Sequence, residues 1–181
     1  MPTIAWNRCP SSVESAPNAR IEAQIYTKYA LRQNPQATFA ILYQNDDLGK
    51  DYVAGVRDVL KGDFDKRAKA ISHEVTDPTV DSQLVALKAT GANMLLSGTT
   101  AKFVAQSIRK IHELQWKPLH FMANGAASIQ GVIIPAGQER ALGVISCGYM
   151  KDAADPAWAD DPGVKDYVEE VLPRGKYSGR L

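Results

Sequence analysis

Thr38-Phe39-Ala40-Ile41-Leu42-Tyr43-Gln44-Asn45-Asp46-Asp47-Leu48-Gly49-Lys50-Asp51-Tyr52-Val53 is the stretch on which the fold turns. Its first six residues form a near-continuous apolar run, which fits a strand buried on both faces. A polar turn follows. Tyr52, Val53, Val56, Val59 and Leu60 then share one helical face across residues 49–61. Strand, loop and helix succeed one another within 24 residues. That is the opening of a βαβ unit.

Downstream the alternation repeats. Residues 70–75 read as a second strand. After the breaker Asp77-Pro78-Thr79, the spacing of Val80, Leu84 and Leu87 predicts a helix. Residues 92–97, with Met94-Leu95-Leu96 at their core, form a third strand. Phe103, Val104, Ile108, Ile111 and Leu114 mark an amphipathic helix over 101–114. Residues 119–122 give a fourth strand, 127–133 a short helix or turn, and 142–147 a fifth strand. Upstream, Ile21, Ile25, Tyr29 and Leu31 predict a helix over 18–32, closed by Asn34-Pro35. Stacked units of this kind imply an α/β fold with an open, doubly wound, mostly parallel sheet in flavodoxin-like order. Right-handed crossovers place helices on both sheet faces.

The flanks differ. Residues 1–18 read as an extended N-terminal arm, rich in Asn, Ser, Pro and Glu from residue 7 on. A single α/β lobe is expected over 19–172. Within it, residues 152–162 are an acidic, Pro-containing loop. Residues 163–172 are a helix that turns Val164, Tyr167, Val168 and Val171 inward, stopped by Pro173. Residues 173–181 lack periodicity and read as a frayed tail.

Composition narrows the function. With 181 residues, 45% of them hydrophobic and 23% charged, the chain fits an ordinary globular domain. Its 21 basic and 20 acidic residues give a net charge of +1, with no basic stripe for nucleic acid. No run of 18 apolar residues offers a membrane span, and residues 1–8 lack the pattern of a signal peptide. Cys147, in the apolar run 142–147, reads as a small buried hydrophobe. The spacing of Cys9 and Cys147 does not argue for a disulfide. His73, His112 and His120 match no zinc pattern, and His112 is expected to face solvent. No cofactor and no nucleophile motif is indicated.

In open α/β sheets ligands bind beyond the carboxyl ends of the strands. Four loops qualify: residues 44–49, 98–100, 123–126 and 148–150. They carry amides, hydroxyls, a phenol and helix-opening N–H groups, which orient a small polar ligand without chemistry. Asp46 and Asp47 read as caps of the following helix. Leu48-Gly49-Lys50 is not a phosphate loop. Thr99-Thr100, ahead of the amphipathic helix, is the pair best placed for ligand contact, with helix capping as the competing role.

Four segments together resemble the ligand-binding family of branched-chain amino acid and aromatic acid ABC transporters, the type I periplasmic binding proteins. These are residues 40–52, residues 75–83, Thr100-Ala101-Lys102-Phe103, and residues 151–164. Their order and spacing carry the likeness, which runs from about Ile21 to Val171. Family members are roughly twice this length and close two α/β lobes on a ligand. The resemblance covers the second lobe and the helix leading into it; the first lobe and the last elements look absent. By position it places ligand contacts at Leu48, Thr99, Thr100 and Asn124 or Gly125, with Tyr149 nearby. It implies a small carboxylate or amino-acid ligand, the transporter's membrane subunits as partners, and a periplasmic location. Two departures count against a free α-amino acid. Leu48 stands where an aromatic often precedes the glycine, and no acidic residue accompanies Asn124 to pair with an ammonium. An aromatic acid fits better.

Two other readings compete: a ligand-sensing effector domain of the same fold, and a small α/β enzyme. The first lacks a DNA-binding element, the second a glycine-rich loop after strand one. A lobe separated from its partner is also expected to form a homodimer. Its surfaces would be the leading helix, with Ile21, Ile25, Tyr26 and Tyr29, or the arm around Trp6.

Overall fold

The structure, a computed structural model, describes residues 18–148, 151, 153, 156–171 and 173. Trp6, Cys9, Tyr149, Leu172 and most of the expected arm and tail lie outside them. The chain divides into one compact unit from Ser12 to Cys147 and another that takes in Gly148–Leu181.

The larger unit opens with α1 (Ala19–Gln33), β1 (Phe39–Gln44) and α2 (Asp47–Leu60). A short turn of helix, α3 (Phe64–Arg67), leads into β2 (Ala68–His73). Then come α4 (Asp81–Ala89), β3 (Met94–Gly98), α5 (Ala101–Glu113) and β4 (Leu119–Met122). The sheet is wholly parallel in the order β2-β1-β3-β4, the flavodoxin-like order expected. Phe39 lies opposite Ala68 on one side and Met94 on the other, and Met94 opposite Leu119. The strands therefore finish nearly level, at Gln44, His73, Gly98 and Met122, and their following loops share one edge.

The core divides along the pleat. On one side Phe39, Ile41, Met94, Leu96 and Phe121 meet the alanines of α1, Tyr52 and Val56 of α2, and Phe64. On the other, Ala40, Leu42 and Leu95 meet Val80, Leu84 and Leu87 of the α4 region and Phe103 and Ile111 of α5.

Three expectations need correction. The first is the inward face of α1. Ile21 and Tyr29 are exposed, while Ala19, Glu22, Ala23, Tyr26, Thr27 and Ala30 are buried. The contact with α2 is too close for large side chains: a Cβ on Gly55 would lie 2.3 Å from the Arg20 carbonyl oxygen and 2.7 Å from Ala23 Cβ. At the rim Arg20 grips Asp58 through two N–H groups, at 2.6 and 2.8 Å. Of the apolar surface expected on the leading helix, Tyr26 is therefore not available for self-association.

Second, residues 142–147 do not form a strand. Only Ile145 bridges to β4, donating its N–H to the His120 carbonyl at 2.8 Å and accepting from the Met122 N–H at 2.9 Å. Gly143, at φ +86°, breaks the extended run and leaves Leu142 83% exposed. Before it, the chain forms a wide helical turn (Ile129–Ile133), the short α6 (Ile134–Ala136) and a tight turn (Gln138–Ala141).

Third, the last helix is α7 (Pro162–Asp166), capped by the Asp161 carboxylate and continued by a wider turn, Tyr167–Val171. Val164 is buried, but Tyr167 and Val171 are exposed and Val168 is only half-buried. The widened turn shifts the spacing of those side chains away from the regular helical stripe. No helix among the described residues is long and apolar enough to cross a membrane.

Candidate functional site

Three of the four proposed loops can be followed at the carboxyl edge of the sheet. The first leaves β1 at Gln44. Asp46 caps α2, its carboxylate accepting the Gly49 N–H at 2.9 Å, while the Gln44 side-chain amide donates to its other oxygen. Capping is thus the role Asp46 fills. Gly49 is required by space: a Cβ there would meet the Gln44 carbonyl oxygen at 1.9 Å. Beside it Leu48 stands 43% exposed.

The second loop follows β3. Thr99 is only 1% exposed, and its hydroxyl lies 2.7 Å from His73 Nε2 at the end of β2. His73 Nδ1 is 3.0 Å from the Glu74 carbonyl, which can only accept. In the neutral imidazole the proton therefore sits on Nδ1, and Thr99 donates to Nε2. Thr99 is thereby committed inside the fold. Thr100 is exposed at the N-cap position of α5, but its side chain makes no cap bond. Its hydroxyl donates instead to Gln44 Oε1, at 3.3 Å.

The third loop follows β4. Ala123 is buried, Asn124 half-buried and Gly125 exposed, in a tight turn over Asn124–Ala126. The Asn124 side-chain amide donates to the Cys147 carbonyl, which fixes its orientation and leaves Oδ1 as the acceptor facing outward from that bond. The fourth loop, with Tyr149, lies outside the described residues beyond Gly148.

A feature the apolar periodicity did not reveal lies behind these loops. Glu22 of α1 is only 5% exposed. Its Oε1 accepts from the Tyr26 hydroxyl at 2.7 Å and from the Asn124 backbone N–H at 2.7 Å. Oε2 accepts from the Tyr52 hydroxyl at 2.8 Å. The Tyr26 oxygen in turn accepts the Cys147 N–H at 2.8 Å. Burial pushes the Glu22 carboxyl above the ordinary range, with the hydrogen bonds from Tyr26, Tyr52, Asn124 and Cys147 opposing it. Burial and the neighbouring carboxylate raise both phenols well above their usual value. Tyr52 also packs on Gly98, where a Cβ would lie 2.7 Å from its ring. The sequence signal for this arrangement is the stripe of Ala19, Ala23, Tyr26 and Ala30, at helical spacing, with Glu22 on its border.

On the opposite sheet face Ser97 and His120 form a second buried pair, 2.8 Å apart. Burial pushes His120 down to about 4, so its imidazole is uncharged at neutral pH. His112 is exposed, as expected. Among the described residues no cluster of three His, Cys, Asp or Glu side chains is placed to hold a metal. A shallow polar depression lined by Thr79, Asp81, Gln106, Arg109, Lys110 and Glu113 shares no residue with the loops above.

The edge therefore presents a leucine side chain, a hydroxyl, an amide oxygen and the opening turns of two helices over a level parallel sheet. The sequence profile described as periplasmic binding protein matches residues 3–176 of the chain. The chain belongs to the periplasmic binding protein family. The family is one of solute-binding proteins of type I fold, and the four-stranded parallel α/β unit has that architecture.

Solved structures agree on the fold. A branched-chain amino acid ABC transporter protein from Thermus thermophilus with bound valine is 18% identical, with a TM-score of 0.64 over 80% of this chain and 36% of that one. An extracellular ligand-binding receptor from Verminephrobacter eiseniae is 16% identical, with a TM-score of 0.66 over 87% and 44%. A substrate-binding periplasmic protein from Ralstonia solanacearum is 22% identical, with a TM-score of 0.60 over 69% and 35%. The chain thus spans less than half the length of each of these relatives. No curated protein matches the sequence.

Proposed function

We propose that this chain is the second lobe of the solute-binding component of an ABC importer acting in the periplasm, and that it takes a small carboxylate or amino acid at the carboxyl edge of its sheet. The observation that carries the reading is the level finish of β1, β3 and β4. It sets Leu48, Thr100, Asn124 and Gly125 along one rim, with Thr99 behind them. The relatives, each covered by less than half of its length, support the one-lobe reading.

The hydrogen-bonding inventory of the rim refines the ligand class. The opening turn of α5, which the Thr100 side chain does not cap, carries N–H groups that favour an anion, whereas at α2 the Asp46 carboxylate already takes the Gly49 N–H. The Thr100 hydroxyl hydrogen and an Asn124 side-chain N–H are already spent on Gln44 and Cys147. What these two side chains chiefly keep for a ligand is acceptor oxygen. A ligand with a carboxylate at one end and an N–H or O–H near it matches both halves. Asn124 Oδ1 thus supplies the acceptor role that the missing acidic residue would otherwise fill, with a weaker bond to an ammonium. Leu48 adds an apolar contact.

The chain alone is expected to bind weakly, because one lobe does not enclose a ligand. The experiment is two-dimensional NMR of the chain titrated with millimolar L-valine, and separately with benzoate. Amide shifts confined to residues 48–49, 100–101 and 124–125 support the reading. Sub-micromolar affinity would sink the one-lobe proposal, and shifts scattered elsewhere would sink the site.

A further inference from the structure

Glu22 contributes nothing to the rim directly, yet its carboxylate reaches three elements that build it. One oxygen holds the backbone N–H of Asn124, the first residue of the turn after β4. The other holds Tyr52 of α2, the helix that opens beside Leu48 and Gly49. Through the Tyr26 hydroxyl the same carboxylate meets the N–H of Cys147, whose carbonyl takes the Asn124 side-chain amide. The circuit closes: Glu22 to Asn124, Asn124 to Cys147, Cys147 to Tyr26, Tyr26 to Glu22. Asn124 is gripped by both its backbone and its side chain, and both grips return to α1.

This arrangement is unusual for a carboxylate in the first turn of a helix. Such a group ordinarily faces solvent and assists its own helix dipole. Here it is buried, and buried charge is retained only where donors converge on it. Sheet hydrogen bonding does not hold this turn, because β4 ends at Met122 and, among the described residues, the segment beyond it pairs only through Ile145. The next tie to a neighbouring strand is the Ala123 N–H on the Ser97 carbonyl, at 3.1 Å. Past that point, apart from the turn's own Ala127 N–H on the Asn124 carbonyl, Asn124 is held chiefly by Glu22 and Cys147.

We infer that Glu22 is a positioning residue of the rim: it sets the place of the turn Asn124–Ala126 and of the chain at Cys147, and so fixes where Asn124 Oδ1 and Gly125 stand. The inference rests on the proposed function only in calling this edge the ligand site; the positioning itself is testable without a ligand.

The test is hydrogen exchange of the 181-residue chain, resolved by residue, for the parent, Glu22→Gln and Tyr52→Phe. Gln keeps one acceptor oxygen but turns an amide N–H₂ toward groups that also donate, so the four-part circuit opens while the side-chain volume stays. Exchange of the Asn124 and Cys147 amides is expected to accelerate at least tenfold more than that of Leu42 and Leu95 in the sheet. Tyr52→Phe removes a donor and a secondary oxygen near the Asn124 N–H, but keeps Glu22 as the main acceptor of that N–H and Tyr26 as the acceptor of the Cys147 N–H, and is expected to leave their exchange relative to the sheet within about threefold. Equal acceleration of all four amides in Glu22→Gln would make Glu22 a general contributor to stability and overturn the proposal. So would unchanged exchange at Asn124. Titration of the same variants with millimolar L-valine is a separate arm. If the parent binds and Glu22→Gln loses affinity several-fold while Tyr52→Phe does not, the positioning reaches the ligand. If the parent does not bind, the proposed site fails while the exchange result still decides the role of Glu22.

Discussion

The two faces of the sheet bury polar groups in opposite ways. On the α1–α2 side a single ionisable carboxylate collects donors from α1, α2 and the turn after β4. On the α4–α5 side the polar atoms come as separate pairs, Ser97 with His120 and Thr99 with His73, in which imidazole meets hydroxyl. A pair fails locally when one member is removed. A hub fails at every donor it served. The difference also sorts the faces by reach, since the hub holds Asn124 together with three other groups, whereas on the other face Thr99 and Thr100 are each held by one partner, His73 and Gln44.

The sharpest way to break the comparison is to delete one member on each side. Glu22→Ala takes the acceptor from the buried Tyr52 hydroxyl, the half-buried Asn124 N–H and the Cys147 side chain; Tyr26 can turn its proton to the Met122 carbonyl, 3.0 Å away. The lost acceptor and the vacated volume are expected to cost about 3 kcal/mol, offset in part by removal of the carboxylate's own burial penalty. Thr99→Val leaves only the His73 ring nitrogen unpaired and is expected to cost about 1 kcal/mol. Urea denaturation of the two variants measures both values. Equal losses would mean that the hub is no more than a sum of pairs.

Much of the frame was legible in the sequence because parallel strands buried on both faces write themselves as apolar runs. Residues 38–43 and 92–97 did so, and 119–122 coincides with β4 as observed. The strong stripe of α5 was legible for the same reason, with Phe103, Val104, Ile108 and Ile111 all buried. What escaped shares one physical cause: contacts made by small or polar groups. The buried face of α1 is alanine, glutamate and tyrosine, so apolar periodicity chose Ile21 and Tyr29, which are exposed. The run 142–147 looked like a strand, but Gly143 and the turn before it leave one bridge. Of the candidate site, the loops were legible from their place after strands. The commitment of Thr99 to His73, and of Asn124 to Glu22 and Cys147, was not, because such partners are distant in sequence.

Acid distinguishes the two faces with a smaller effect. His120 has a folded value of about 4 against about 6.5 unfolded, so the unfolded chain takes up a proton first as pH falls. Stability from this group is full above about 6.5 and is lost progressively down to about 4; between pH 6.5 and 5.5 the loss is about 1 kcal/mol. Glu22 has the opposite sign. Its folded value is raised, so its contribution is present below the unfolded value and is lost as pH rises through the folded one. Acidification therefore destabilises one face and relieves the other. Urea midpoints across pH 4 to 7 are expected to show a shallow fall on acidification. Glu22→Gln should steepen that fall, and the double variant Ser97→Ala/His120→Leu should flatten it. A profile indifferent to both sets of changes would remove these groups from the acid response.

The smallest effect separates the rim from the fold. Thr100 occupies the N-cap position of α5, and a threonine in that role typically stabilises its helix by about 1 kcal/mol. Here the hydroxyl does not turn to the helix N–H groups; it reaches Gln44 Oε1 at 3.3 Å, long for a hydrogen bond and open to water. Thr100→Ala therefore removes a long, weak contact, but it also takes away the partner of Oε1 on the buried Gln44. The expected cost is about 0.5 kcal/mol, the lower end of the net worth of one hydrogen bond. In a two-lobed relative carrying threonine at the matching position, the same change is expected to weaken ligand binding by about 0.5–1.5 kcal/mol, the net worth of one hydrogen bond. Denaturation and calorimetry on the matched variants report the two quantities independently. Lost stability with unchanged affinity would return Thr100 to a capping role and move the proposed contact off this loop. Lost affinity with unchanged stability would place the hydroxyl at the ligand, where its long bond to Gln44 leaves it able to turn outward.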